Sequence, residues 1–143
     1  MAIDLLMVED NPDDVELALR AMRKSNTENR IHIVRNGREA LDSIFHEGEY
    51  EGKDIPTPGL ILKDIKLPKV NGLEVLKRIK ESSEKKKIPV IMLTLSEDKR
   101  DIDESYRLGA NSYMIKPVGF SKFVDTIINI EYYWMFLNRL TEV

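Results

Sequence analysis

Four short segments carry five side chains that could act together. Glu9-Asp10 follows the apolar run at residues 3–8, Asp64 follows Leu60-Ile61-Leu62-Lys63, Thr94 closes the run that begins at Val90, and Lys116 follows residues 112–115. Three carboxylates brought close together repel one another and raise their own pKa values unless a cation relieves them. An oxygen-only donor set suits a hard divalent ion, and few protein ligands with several waters suits Mg²⁺. A divalent ion and the Lys116 ammonium balance Glu9, Asp10 and Asp64 in charge. A phosphoryl group entering such a site would meet metal, lysine and the Thr94 hydroxyl as its charge develops.

Each residue alone has a plainer use. An aspartate at a strand end forms turns, Lys-Pro is a common surface turn, and a threonine in an apolar run packs. What removes these readings is a fold that puts all five at one edge. The chain reads that way. Residues 3–8 suit a strand buried on both faces. Asn11-Pro12-Asp13-Asp14 then carries a cap, a proline for the first helical turn and acids suited to a helix N-terminus. Val15, Ala18, Leu19 and Met22 recur at helical spacing. Residues 31–34 read as a second strand and residues 38–45 as a second helix. Residues 46–59, with three glycines and two prolines, read as a loop, long for a helix-to-strand connection. Residues 60–62 form the third strand, leading into Lys63-Asp64. Leu73, Val75, Leu76 and Ile79 mark a third helix. Residues 90–95 form the fourth strand, residues 97–108 a polar helix capped by Gly109, residues 112–115 the fifth strand, and about 120–140 the last helix. Strict alternation predicts an α/β fold, a doubly wound five-stranded parallel sheet with helices on both faces. Ligands of such sheets sit beyond the carboxyl ends of the strands.

Composition sets the bounds. The chain has 143 residues, 42% hydrophobic and 33% charged, with a net charge of −3 and no cysteine. That balance fits one globular domain and gives no basic field for nucleic acid. The lack of cysteine excludes disulfides, thiolate metal sites and a cysteine nucleophile. No apolar run reaches the roughly 18 residues of a membrane span, and residues 1–4 show no signal-peptide pattern. The expectation is a cytoplasmic protein. His32 and His46 are too isolated for a histidine metal site and are read as solvated or edge positions.

Val8-Glu9-Asp10-Asn11, Leu62-Lys63-Asp64-Ile65-Lys66-Leu67-Pro68, Met92-Leu93-Thr94 and Tyr113-Met114-Ile115-Lys116-Pro117 together resemble the receiver domain of two-component response regulators. The spacing agrees, with thirty residues from Asp64 to Thr94 and twenty-two more to Lys116. The resemblance covers essentially the whole chain. The 46–59 segment makes it similar to the single-domain, chemotaxis-type regulators of the cyanobacterial phytochrome subgroup. The resemblance implies a flavodoxin-like sheet of strand order 2-1-3-4-5, a single receiver domain over 1–143 and no output domain. It implies that Asp64 accepts a phosphoryl group from a phosphohistidine on a sensor histidine kinase. Glu9, Asp10, Asp64 and the backbone carbonyl of Lys66 would bind Mg²⁺. Thr94 and Lys116 would contact the phosphoryl oxygens, Tyr113 would be the aromatic switch, and the Lys116–Pro117 bond would be cis. The readout would be protein contact or phosphorelay through the face of helix four, strand five and helix five. The chemistry of the residues agrees: an aspartate can form an acyl-phosphate, and the added charge can draw Thr94 and let Tyr113 turn inward.

Some positions depart from the family pattern. Asn71 replaces a usual aspartate before Gly72 but keeps the turn chemistry. Lys63 precedes Asp64 where an apolar or acidic residue is usual. Leu95 follows Thr94 where a small residue is common, and Lys66 stands beside the site; these two are expected to set the lifetime of the phosphorylated state. On the last helix, Phe120, Phe123, Val124, Ile127, Trp134 and Met135 could form the stripe that packs on the sheet. Ile128, Ile130, Tyr132, Tyr133, Phe136 and Leu137 add further apolar surface, and Tyr132, Tyr133 and Phe136 are expected to form a homodimer interface. Two other classes compete. A haloacid-dehalogenase-type phosphatase also uses strand-end aspartates, but needs an acid two residues after the nucleophile, where Lys66 stands. A pseudo-receiver that only binds partners has no use for the full set Glu9, Asp10, Asp64, Thr94 and Lys116.

Overall fold

The computed structural model describes residues 4–25, 29–67 and 69–134. Five strands alternate with five helices: β1 Asp4–Val8, α1 Pro12–Ser25, β2 Arg30–Val34, α2 Gly37–Phe45, β3 Leu60–Lys63, α3 Gly72–Glu81, β4 Val90–Thr94, α4 Lys99–Arg107, β5 Ser112–Ile115 and α5 Phe120–Tyr132. All strand pairs are parallel, in the order β2-β1-β3-β4-β5. This is the flavodoxin-like arrangement expected. Among the described residues, no helix is long and apolar enough to cross a membrane.

The central strands are apolar throughout because both of their faces are covered. Leu6, Val8, Ile61, Val90 and Met92 pack with α2 and α3, against Leu41, Ile44, Val75, Leu76 and Ile79. Leu5, Met7, Leu60, Leu62, Ile91 and Leu93 pack on the other face with α1 and α5, against Leu17, Ala18, Phe123 and Ile127. Burying each such side chain stabilises by roughly 1.5–3 kcal/mol. Two such layers hold a chain that has no disulfide to help.

The register fixes the working edge. Val8 lies beside Val34 and Lys63, Lys63 beside Met92, and Thr94 beside Ile115. The ladder then runs one rung further. Glu9 N–H donates to the Val34 carbonyl at 3.0 Å, Asp64 N–H to Val8 at 3.3 Å, and Lys116 N–H to Thr94 at 2.7 Å. The polar residues are thus the first ones past the strands, pinned by the sheet itself.

Several local expectations need correction. The 46–59 connection contains a 3-10 turn at Gly48–Tyr50. Tyr50 seats it, donating to Glu39 Oε1 at 3.3 Å and lying 3.2 Å from Nε2 of the exposed His32 on edge strand β2. Helix α4 begins at Lys99, not 97, because the Asp98 carboxylate caps it, accepting from Arg100 N–H at 2.9 Å. On α5, Phe120 is 70% exposed rather than buried, while Ile130 is buried. The buried stripe is Phe123, Val124, Ile127 and Ile130, the spacing of a helix already one turn in when it meets the sheet. Met135, Phe136 and Leu137, and the extension to about 140, lie outside the described residues. Among the described residues no peptide bond is cis, so Lys116–Pro117 is trans. The chain turns into α5 at Gly119 instead, whose φ of +99° favours glycine.

Candidate functional site

Lys116 organises the carboxyl edge. Its Nζ lies 2.5 Å from Glu9 Oε1, 2.9 Å from Asp14 Oδ2 and 3.0 Å from Asp64 Oδ2. An ammonium has three N–H donors, and here each faces a carboxylate. Burial alone would pull Lys116 down, but Glu9, Asp14 and Asp64 outweigh it and hold it above the usual lysine range. Burial pushes Glu9 up, and the pairing with Lys116 pulls it back only in part.

Asp64 has two unlike oxygens. Oδ1 accepts from the backbone N–H of Ile65 at 2.7 Å and of Lys66 at 3.4 Å, while Oδ2 faces Lys116. The turn that supplies those N–H groups is tightly fitted. Gly72 N–H donates to the Ile65 carbonyl at 2.8 Å, and a Cβ on Gly72 would stand 2.1 Å from the Asp64 carbonyl oxygen. Asn71 caps α3, accepting from Leu73 N–H at 2.8 Å, so the expected turn chemistry is present.

Thr94 is buried, and its Oγ1 accepts from Ser96 N–H at 3.4 Å. Tyr113 is partly buried, and its hydroxyl donates to the Ser96 carbonyl. A cleft of about 480 Å³ opens above these groups, lined by Glu9, Asp10, Asp64, Lys66, Thr94, Leu95 and Lys116 among others. Leu95 is 71% exposed and stands at its lip.

The structure therefore brings together Glu9, Asp64, Thr94 and Lys116. It leaves Asp10 exposed at the rim. Among the described residues, no three acidic or imidazole groups converge as a ready-made ion cage. Glu9, Asp14 and Asp64 gather instead on the Lys116 ammonium, which offsets part of their charge. The donor chemistry still fits a hard cation. The cleft carries only oxygen ligands, and Glu9, Asp10, Asp14 and Asp64 leave negative charge that one lysine does not cancel.

Sequence reading missed two residues. Asp14 looked like an acid favoured by the α1 dipole; its signal was its place in the first turn of a helix that starts at the reactive edge. Asn11 fixes that turn, its Oδ1 accepting from Asp13 N–H at 2.9 Å and Asp14 N–H at 3.3 Å. The sequence marks Lys63 as unusual before Asp64 but does not mark its depth. It is 1% exposed, its Nζ donates to the Gly72 carbonyl, and burial pulls its pKa to about 7. No residue type signals a buried lysine.

Comparison with known proteins agrees with this geometry. A family model described as the response regulator receiver domain matches residues 5–128. Response regulator Rcp1 of Synechocystis is 36% identical over 131 residues, covering 92% of this chain and 88% of its own. A probable methanogenesis regulatory protein, FilR2 of Methanothrix harundinacea, is 40% identical over 136 residues, covering 94% of this chain and 85% of its own. Among solved structures, the phosphorylated cyanobacterial phytochrome response regulator RcpA superposes with a TM-score of 0.92 at 35% identity, covering 99% of this chain and 100% of its own. The Mn²⁺-bound form of Rcp1 gives 0.90 at 34%, covering 97% and 99%. The sheet order, the strand-end acids and the Lys116 cluster thus belong to a chain of the response regulator receiver domain family of two-component signalling.

Proposed function

We propose that this chain is a phosphorylation-controlled signalling module whose acceptor is Asp64. The observation that carries the reading is the pairing of Asp64 Oδ2 with Lys116 at 3.0 Å, beside buried Thr94, in an acid-lined cleft. The donor is a phosphohistidine on a sensor histidine kinase. An Asp64 oxygen forms the new P–O bond as the donor P–N bond breaks. The imidazole leaves with the bonding pair and takes a proton from solvent.

Bound Mg²⁺ would supply charge neutralisation for the transferring group. Asp10 and Asp64 would hold it, with Glu9 and the Lys66 carbonyl. That RcpA was crystallised phosphorylated and Rcp1 with Mn²⁺ supports both assignments. Lys116 orients and neutralises the phosphoryl oxygens, and Thr94 donates its hydroxyl to one of them. The Thr94 movement is relayed to Ser96 and Tyr113, whose hydroxyl leaves Ser96 as the ring turns inward. A few kcal/mol of differential contact suffices to shift such an element. The α4-β5-α5 face then changes, and the signal passes by protein contact or phosphorelay in the cytoplasm. The only chemistry the chain catalyses is its own phosphoryl transfer and dephosphorylation. A homodimer through α5 completes the reading, with Tyr132 53% and Tyr133 48% exposed.

Incubation with acetyl phosphate and Mg²⁺ tests the acceptor. Intact-mass analysis is expected to show one added phosphoryl group on the wild type and none on Asp64→Asn. Equal labelling of both, or of neither, overturns the assignment.

A further inference from the structure

The Lys116 ammonium is fully engaged before any phosphoryl group arrives. Glu9 and Asp64 take two of its donors from the ends of β1 and β3. The third goes to Asp14, which belongs to neither strand end and is held by α1. Its position is built. Glu9 Oε2 accepts from Asn11 N–H at 3.2 Å, and Asn11 Oδ1 in turn caps the turn that carries Asp14.

A phosphoryl group on Asp64 adds new acceptor oxygens beside Lys116. Acyl-phosphate formation removes the charge of the Asp64 carboxylate and turns the donor that faced it to one phosphoryl oxygen, so a second phosphoryl oxygen must displace Glu9 or Asp14. Glu9 is buried with Lys116 and has the shorter contact, so it is the harder partner to release. Asp14 is the more exposed partner, with its side chain 19% accessible, and can be rehydrated. The geometry points to Asp14 as a positioning residue that holds Lys116 in the resting state and competes with a phosphoryl group on Asp64 for the same N–H donor. Asp14 is thereby a brake on the modified state.

This rests on Asp64 being the acceptor, and the experiment separates the two. Beryllofluoride with Mg²⁺ serves as the phosphoryl probe, its affinity measured by calorimetry or ¹⁹F NMR. Wild type must bind it and Asp64→Asn must not; a wild type that fails to bind overturns the acceptor reading and this one with it. Given wild-type binding, Asp14→Asn is expected to bind roughly three- to tenfold tighter. Asp14→Glu, which restores the carboxylate, is expected to return toward wild type. Asp13→Asn loses the same charge one residue away without touching Lys116, and is expected to change affinity by less than about twofold. Asp14→Ser is the second variant if Asp14→Asn folds poorly. Unchanged or weaker binding in the Asp14 variants, or an equal gain in Asp13→Asn, overturns the role of Asp14 while leaving Asp64 as acceptor.

Discussion

The Tyr113 hydroxyl donates to the backbone carbonyl of Ser96 at 2.8 Å, tying β5 to the turn that follows Thr94. The same Ser96 gives its N–H to Thr94 Oγ1. One residue therefore touches both the Thr94 hydroxyl and the Tyr113 hydroxyl on the outer strand.

Removing that tie should loosen the turn without damaging the core. Tyr113→Phe keeps the ring and loses one partly buried hydrogen bond, a cost of about 0.5–1.5 kcal/mol. Urea unfolding should show a lower midpoint with an unchanged slope. A midpoint identical to wild type would mean the bond contributes nothing to the resting state.

Lys63 predicts a pH dependence with a definite sign. Its pKa falls to about 7 in the folded chain, pulled down by burial, against about 10.4 in an unfolded chain. Below pH 7 both states are protonated and the fold carries the full cost of a buried ammonium. Between about pH 7 and 10 the unfolded state holds the extra proton, so stability rises with pH. Lys63→Met removes the charge but leaves the Gly72 carbonyl without its donor. The variant should be more stable than wild type by about 1–3 kcal/mol at pH 6, with the difference shrinking toward pH 9. Parallel stability curves for the two chains from pH 6 to 9 would refute a titrating Lys63.

Leu95 and Lys66 flank the mouth of the cleft. Leu95 is exposed there, where it would shield an acyl-phosphate on Asp64 from attacking water, and Lys66 would add a cation to the same cleft. Leu95→Ala and Lys66→Asn should each change the dephosphorylation rate severalfold, by roughly the worth of one such contact. Following loss of label after removal of acetyl phosphate measures it; unchanged rates in both would dismiss the idea.

The α5 surface makes a separate prediction about assembly. Tyr132 and Tyr133 are exposed near the end of the described helix; Phe136 lies outside the described residues. Tyr132→Glu with Phe136→Glu should convert a dimer to a monomer in sedimentation velocity, since a charge in an apolar interface is costly. A wild-type chain that already sediments as a monomer ends the proposal.

Much of this was legible in the residues because the relevant signals are local. Apolar runs followed at once by Glu9, Asp64, Thr94 and Lys116 announce strand ends, and alternation announces a parallel sheet. What escaped was set by three-dimensional competition. Asp14 is a nondescript helix acid until Lys116 reaches across to it. Asp10 is adjacent to Glu9 in sequence yet faces solvent, because successive residues past a strand point in different directions. Phe120 and Ile130 exchanged roles because helical periodicity gives the face of a stripe but not where along its length the helix meets the sheet.

The rungs beyond the strands have a consequence for how such a chain can diversify. Glu9, Asp64 and Lys116 are clamped by the sheet at its carboxyl edge, whereas the 46–59 segment joins β3 at the opposite end, where Gly59 N–H bonds the Asp4 carbonyl. Insertions there, anchored by Tyr50 on β2, lengthen the molecule without moving Glu9, Asp64 or Lys116. Recognition features can be gained or exchanged at one pole while the chemistry at the other is left untouched.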